Sequence, residues 1–74
     1  MSSLADTIPS DRLLNATDLA RIYDLKSARM VREHHLAGDL PPAMRIGKHL
    51  RWHPDKIRED IERRQAEALQ ARSA

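Results

Sequence analysis

The chain has 74 residues, no cysteine and a formal net charge of +2. This length allows one domain with a modest core, and the lack of thiols excludes disulfides, thiolate zinc sites and cysteine catalysis. The sequence contains no long apolar run that would predict a transmembrane helix and no signal-peptide pattern, so we expect a single-domain cytoplasmic protein.

The first residues are rich in Ser, Asp, Thr and Pro, with little periodic hydrophobicity. This composition predicts a flexible leader over residues 1–12, and Pro9 disfavours a helix there. The apolar pair Leu13 and Leu14 follows, and we interpret it as a short strand or a hydrophobic staple. We place the folded domain at residues 13–64 and a helical extension, fraying at its end, at 65–74.

The first helix is predicted at Ala16–Tyr23. Asn15 is a favourable N-cap, and Asp18 lies near the positive end of the helix dipole. Apolar residues at i, i+3 and i+4 form one face, which indicates helical periodicity. These residues are Leu19, Ile22 and Tyr23.

A second helix is expected to begin at Ser27 or Lys26 and to stop at Gly38, which suits the left-handed position after a helix. Pro41 and Pro42 then prevent the helix from resuming. Within this helix we expect Met30 to point inward, together with His34 or Val31. The arginines at 29 and 32 should project outward.

A short β-hairpin is predicted after the two prolines, where apolar and basic residues alternate. Its apolar residues are Met44, Ile46, Leu50 and Trp52. All four share a face only if Ile46 lies opposite Leu50, which leaves a three-residue loop. A two-residue turn at Gly47–Lys48 would instead place His49 opposite Ile46. We favour the three-residue loop, with the arginines at 45 and 51 on the outward face.

The third helix is predicted to start at Pro54, a residue favoured in the first helical turn. Ile57 and Ile61 make a narrow inward stripe. Beyond residue 64 the apolar residues are mostly alanine, which is why fraying is expected. Two i,i+4 ion pairs of about 0.2–0.5 kcal/mol each are expected on the surface. They are Glu59–Arg63 and Asp60–Arg64.

Positive charge is concentrated between Leu25 and Arg51, where six basic and two acidic side chains give +4, against +2 for the whole chain. Such a concentration on a small helical domain is typical of nucleic-acid binders. We expect Lys26 and Ser27, at the start of the second helix, to contact phosphate. Arginine is the side chain best suited to guanine, so Arg29 and Arg32 are candidate base contacts.

The predicted DNA-binding residues of the hairpin are Arg45, Lys48, His49 and Arg51. With a three-residue loop, Arg45 and Arg51 stand side by side and repel each other without an anionic partner, which favours a function. The alternatives are an ordinary solvated helix face and a charged turn that protects an edge strand from aggregation.

Other chemistry has little support in the sequence. Adjacent histidines on a helix diverge by about 100°, so His34 and His35 are poor ligands for one metal ion, even with His49 and His53 nearby. There is no glycine-rich phosphate loop, and the acidic residues are scattered or paired with arginine. We therefore expect no enzyme activity, no metal, no cofactor and no small-molecule ligand.

Several short motifs resemble a known family. They are Leu14-Asn15-Ala16-Thr17-Asp18-Leu19-Ala20, Leu25-Lys26-Ser27, Gly38-Asp39-Leu40-Pro41, Arg45-Ile46-Gly47-Lys48 and Arg51-Trp52. Together they are similar to the MerR-like winged helix-turn-helix of excisionases and AlpA-type regulators, over roughly Leu13 to Arg64. The implied fold is mainly α with a small β-hairpin, in which the second helix enters the major groove and the hairpin is the wing.

The resemblance implies an excisionase, a recombination directionality factor of a mobile element. Such a protein binds and bends double-stranded DNA near an attachment site, beside further copies of itself, and directs a tyrosine-type integrase towards excision. One alternative is an AlpA-like transcriptional regulator that uses the same domain at a promoter. A second alternative is a protein-interaction module, such as an antitoxin or adaptor, in which the basic face is incidental.

Overall fold

The computed structural model describes residues 8–73. The elements are α1 (Ala16–Ile22), α2 (Ala28–Leu36), β1 (Met44–Ile46), β2 (His49–Arg51) and α3 (Pro54–Ser73). The prediction of a mainly helical single domain with a small antiparallel hairpin is therefore confirmed. Residues 1–7 of the predicted leader lie outside the described residues.

Helix α1 begins as expected and ends one residue early. Asn15 and Asp18 form a capping box, in which each side chain accepts a hydrogen bond from the other's backbone N–H, at 2.8 and 3.0 Å. A hydrogen bond from Arg12 to Asp18, at 2.7 Å, holds the pKa of that carboxyl below its usual range. Tyr23 is the C-cap, and Asp24 turns the chain with a left-handed φ of 57°.

Helix α2 is bounded by the two residues that predicted its ends. The Ser27 side chain accepts a hydrogen bond from the backbone N–H of Met30, and Gly38 has a φ of 77°. Of the candidates for the inward position, Val31 is fully buried and Met30 is half-buried. The core therefore takes the β-branched residue rather than the methionine.

The preferred hairpin register is wrong. Ile46 pairs with His49, so the turn contains only Gly47 and Lys48, and Gly47 adopts the positive φ of 62° that a tight turn of this kind needs. The four apolar residues consequently do not share a face. Met44 and Ile46 lie on one face and remain exposed, while Leu50 and Trp52 lie on the other.

A further backbone bridge ties the hairpin to the start of the domain. Leu14 and Trp52 exchange two backbone hydrogen bonds of 2.9 Å, and both side chains are fully buried. The indole N–H of Trp52 also donates to the carbonyl of Pro41 at 3.0 Å. Of the alternatives for Leu13 and Leu14, a short strand or a staple, the structure shows a single bridge residue at Leu14 rather than a strand. The chain at β2 and Trp52 thus has backbone partners along both edges.

Helix α3 begins at Pro54 and buries Ile57 and Ile61, as predicted. The Asp60–Arg64 ion pair forms at 2.7 Å, but the predicted Glu59–Arg63 pair does not. Arg63 also bonds Asp60, and Glu59 is 3.6 Å from Lys56. Both arginines therefore pair with Asp60, which is only 6% exposed.

The core includes one residue that the sequence assigned to the leader. Ile8 is only 5% exposed and belongs to the same buried cluster as residues of all three helices. Residues 10–12 are exposed, so within the described part of the predicted leader it is Ile8 that joins the core. None of the helices in the described part of the chain is long and apolar enough to cross a membrane.

Candidate nucleic-acid interface

A cleft of about 550 Å³ lies between α2, the hairpin and the start of α1. We call it the basic cleft. Its lining residues are Asn15, Ala16, Thr17, Arg32, His35, Leu36, Arg45, Lys48, His49, Leu50 and Arg51. Both hairpin strands contribute to it, β1 through Arg45 and β2 through His49, Leu50 and Arg51.

The basic cleft collects positive charge without neutralising it. Four of its residues are cations, Arg32, Arg45, Lys48 and Arg51, and among the residues that the structure describes no carboxylate lines it. Within the same described residues, none of the four forms an ion pair. Cations gathered in a concave, low-dielectric surface focus the field outward and attract anions.

The two hairpin arginines line this cleft, but their arrangement differs from the predicted one. Arg45 lies opposite Leu50, and Arg51 lies opposite Met44, so the two arginines are on opposite faces of the hairpin. The expectation that they stand side by side and repel each other is wrong, because it depended on the three-residue loop. Both nevertheless line the cleft, and Arg51 donates to the carbonyl of Leu50 at 2.8 Å.

The structure divides the eight predicted site residues into two groups. Those that line the basic cleft are Arg32, Arg45, Lys48, His49 and Arg51. Lys26, Ser27 and Arg29 are exposed but are not among its lining residues. The Ser27 side chain caps α2, and Arg29 lies 3.4 Å from Glu33 in a solvent-exposed ion pair.

A second cleft, of about 590 Å³, lies between α3 and the loop after α2. We call it the paired cleft. It is lined by Gly38, Asp39, Leu40, Pro41, Pro42, Lys56, Glu59, Asp60, Arg63, Arg64 and Glu67. Three cations here meet four carboxylates, so the paired cleft has no excess of positive charge.

Asp60 is the centre of the paired cleft and is only 6% exposed. Its carboxylate accepts hydrogen bonds from the Tyr23 hydroxyl at 2.7 Å, from Arg64 at 2.7 Å and from Arg63. Burial by itself would raise the pKa of Asp60, but the hydrogen bonds from Arg64 and Tyr23 outweigh it and leave the pKa lowered. Burial and the bond to Asp60 raise the pKa of Tyr23.

Arg64 extends this network to the loop after α2. It donates to the backbone carbonyl of Asp39 and lies 5.8 Å from the centre of the Tyr23 ring. The sequence analysis missed this network, although the Asp60–Arg64 spacing indicated part of it. The contact between Tyr23 and Asp60 joins residues far apart in the chain, and no local pattern reports it.

The two adjacent histidines of α2 face different neighbours. His34 Nδ1 is 3.0 Å from the Asp39 carboxylate, and the His35 ring meets Trp52 edge to face at a centroid distance of 5.7 Å. Across residues 8–73, no group of three or more potential ligands is placed to hold a metal ion.

One residue of α2 stands out that the sequence analysis did not select. Leu36 is 85% exposed, the highest value among the large apolar residues that the structure describes, and it lines the basic cleft. Its position four residues after Arg32 was the available signal, since that spacing places both side chains on one face of a helix.

Comparisons with known proteins do not assign this chain to a family. A scan against family models, a search of curated proteins and a search of solved structures each found no match.

Proposed function

We propose that this chain binds double-stranded DNA through α2 and the basic cleft. The observation that carries the proposal is the set of four cations in the cleft, which have no carboxylate among them in the described part of the chain. The backbone of a nucleic acid carries regularly spaced negative charges, which such a cleft can neutralise. Clefts of similar size whose charges are already paired offer no comparable attraction.

The contacts divide into two kinds. We propose that Arg45, Lys48 and Arg51 of the hairpin contact phosphate, which fixes the position of the protein on the duplex. The exposed face of α2, which carries Arg29 and Arg32, enters the major groove and reads base edges. Arg32 lies on this face of α2 and also lines the cleft. It is therefore adjacent both to the proposed base contacts and to the proposed phosphate contacts.

The finer proposal is an excisionase that promotes excision of a mobile element by a tyrosine-type integrase. It is supported by the motif resemblance and by the order of elements, two helices followed by a hairpin and a third helix. The protein would act by stabilising bent DNA, which costs about 1–6 kcal/mol for a short site. Because one small domain makes few contacts, further copies bound alongside would supply additional contacts that offset this cost.

The test of DNA binding is a salt titration on a duplex selected from a random library. The three proposed phosphate contacts of the hairpin predict a slope of log affinity against log salt of about −2.7. The triple variant Arg45→Gln, Lys48→Gln, Arg51→Gln should bring the slope close to zero, by the same relation. The matched control, Arg21→Gln, Lys56→Gln, Arg58→Gln, removes the same charge outside the basic cleft and should leave the slope near the parent value.

Absence of binding to any duplex would favour a protein-interaction module. An equal decrease of the salt slope in both triple variants would mean that the basic cleft is not the DNA-binding surface. The excisionase is tested by reconstituting excision with an integrase encoded beside this chain, with and without the protein. Unchanged excision, together with a bound site over a promoter, would favour the AlpA-like regulator.

A further inference from the structure

We propose that Leu36 recognises the C5-methyl group of a pyrimidine in the major groove, so that the preferred DNA site carries a thymine at this contact. This inference rests on the proposed function. Leu36 is the last residue of α2, is 85% exposed and lines the basic cleft together with Arg32.

The helix geometry places Leu36 between the two arginines that face the duplex. At 3.6 residues per turn, Leu36 lies about 40° around the helix axis from Arg32 and about 20° from Arg29, within the arc that separates them. It lies about 6 Å further along the axis than Arg32. A duplex that contacts both arginines therefore also faces the leucine.

An apolar partner would bury the exposed surface of this side chain. Single exposed leucines are common on protein surfaces, but this one lines a cleft together with four cations, which attract an anionic ligand. The thymine C5-methyl is the apolar group that the major-groove edges of the base pairs present. Its contact with Leu36 removes apolar surface from water on both sides, which a cytosine or a uracil cannot do to the same extent.

The experiment uses the full chain and the selected duplex, with thymines replaced one at a time by deoxyuridine, which removes only the methyl group. At one position we expect binding to weaken about four-fold, the value of one buried methyl-sized group. Leu36→Ala should bind the thymine duplex about as weakly and show no further loss with deoxyuridine. Leu36→Met, which keeps an apolar side chain, should retain the preference for thymine.

Two controls separate this effect from a loss of structure. Leu36→Ala should keep the parent melting temperature because the side chain is exposed, and Leu69→Ala, another exposed leucine on α3, should keep the preference for thymine. At the sensitive position, 5-methylcytosine is also compared with cytosine. A gain from 5-methylcytosine supports recognition of the methyl group, and no gain contradicts it.

The outcomes distinguish this inference from the proposed function. Salt-dependent binding with no position sensitive to deoxyuridine, or without any sequence preference, overturns the methyl contact and leaves DNA binding in place. Equal sensitivity in the parent and in Leu36→Ala also overturns it. Failure to bind any duplex removes both.

Discussion

The basic cleft and the paired cleft have similar volumes, about 550 and 590 Å³, but their arginines have opposite surroundings. In the paired cleft, Arg63 and Arg64 bond Asp60, and Arg64 also bonds the backbone of Asp39. In the basic cleft, the four cations have no ionic partner among the described residues. The first set of charges holds the fold together, and the second set is free to meet a ligand.

The largest effect is expected in the paired cleft, from Asp60→Asn. The change weakens three hydrogen bonds at a buried carboxylate, leaves Arg63 without its counter-ion and leaves Arg64 with only the Asp39 carboxylate at 3.9 Å. The expected cost is about 2–4 kcal/mol of unfolding free energy. Urea denaturation measures it. Glu59→Gln, which alters a solvent-exposed pair with Lys56, should cost less than about 0.5 kcal/mol.

In the basic cleft, Arg32→Ala is expected to lower DNA affinity and to leave the stability nearly unchanged. DNA affinity for the selected site should fall by about 1–3 kcal/mol if the side chain contacts a base, and Arg29→Ala should act similarly. The unfolding free energy should stay within about 0.5 kcal/mol of the parent value. Fluorescence anisotropy and urea denaturation on the same variants give both numbers. Unchanged specific affinity in both variants would mean that α2 does not read the DNA.

A smaller effect is expected from Lys48→Ala at the tip of the hairpin. Because it loses a phosphate contact, binding to all sequences should weaken alike, and the salt slope should decrease in magnitude by about 1. Lys56→Ala, the corresponding lysine of the paired cleft, should change neither quantity. A change in sequence preference in Lys48→Ala would contradict a contact restricted to phosphate.

The smallest expected effect is a pH dependence of stability. The lowered pKa of Asp60 means that the unfolded chain binds a proton more readily than the folded one. The stabilisation is therefore complete above the usual carboxyl value of 3.8 and is lost as pH falls through the lower folded value. Denaturation between about pH 6 and pH 3 should show this loss, and Asp60→Asn should show a shallower one.

Local signals in the sequence predicted the helices well. Asn15 and Ser27 are caps whose side chains bond the backbone next to them in the chain, and Gly38 ends α2 through its own φ. Such features depend on residues three or four apart, which a sequence pattern displays directly. The same holds for the buried stripe of Ile57 and Ile61.

Contacts between distant residues were not predictable in the same way. The hairpin register was inferred by assuming that all its apolar residues face the core, whereas Met44 and Ile46 are exposed. These two residues lie on the face of the hairpin opposite that of Leu50 and Trp52, and the latter two pack with the core. The burial of Ile8 depends on the same distant packing.

The candidate site was predicted in part. Charge counting found the cations of the basic cleft, but it could not separate Arg32, which lines the cleft, from Arg29, which lies beside it. It also passed over Leu36, because an apolar residue near the end of a helix resembles a core residue until its exposure is known. The sequence therefore identified the cluster of cations, and the structure identified which of these cations line the same cleft.

The anchoring of Trp52 has a consequence for how the basic cleft meets a ligand. This residue bonds Leu14 through its backbone and Pro41 through its indole, and its ring contacts His35 of α2. The base of the hairpin is thereby fastened to the helix that forms the opposite wall. The separation of the two walls is preorganised in the free protein, so binding need not repay the conformational entropy of ordering a loose arm.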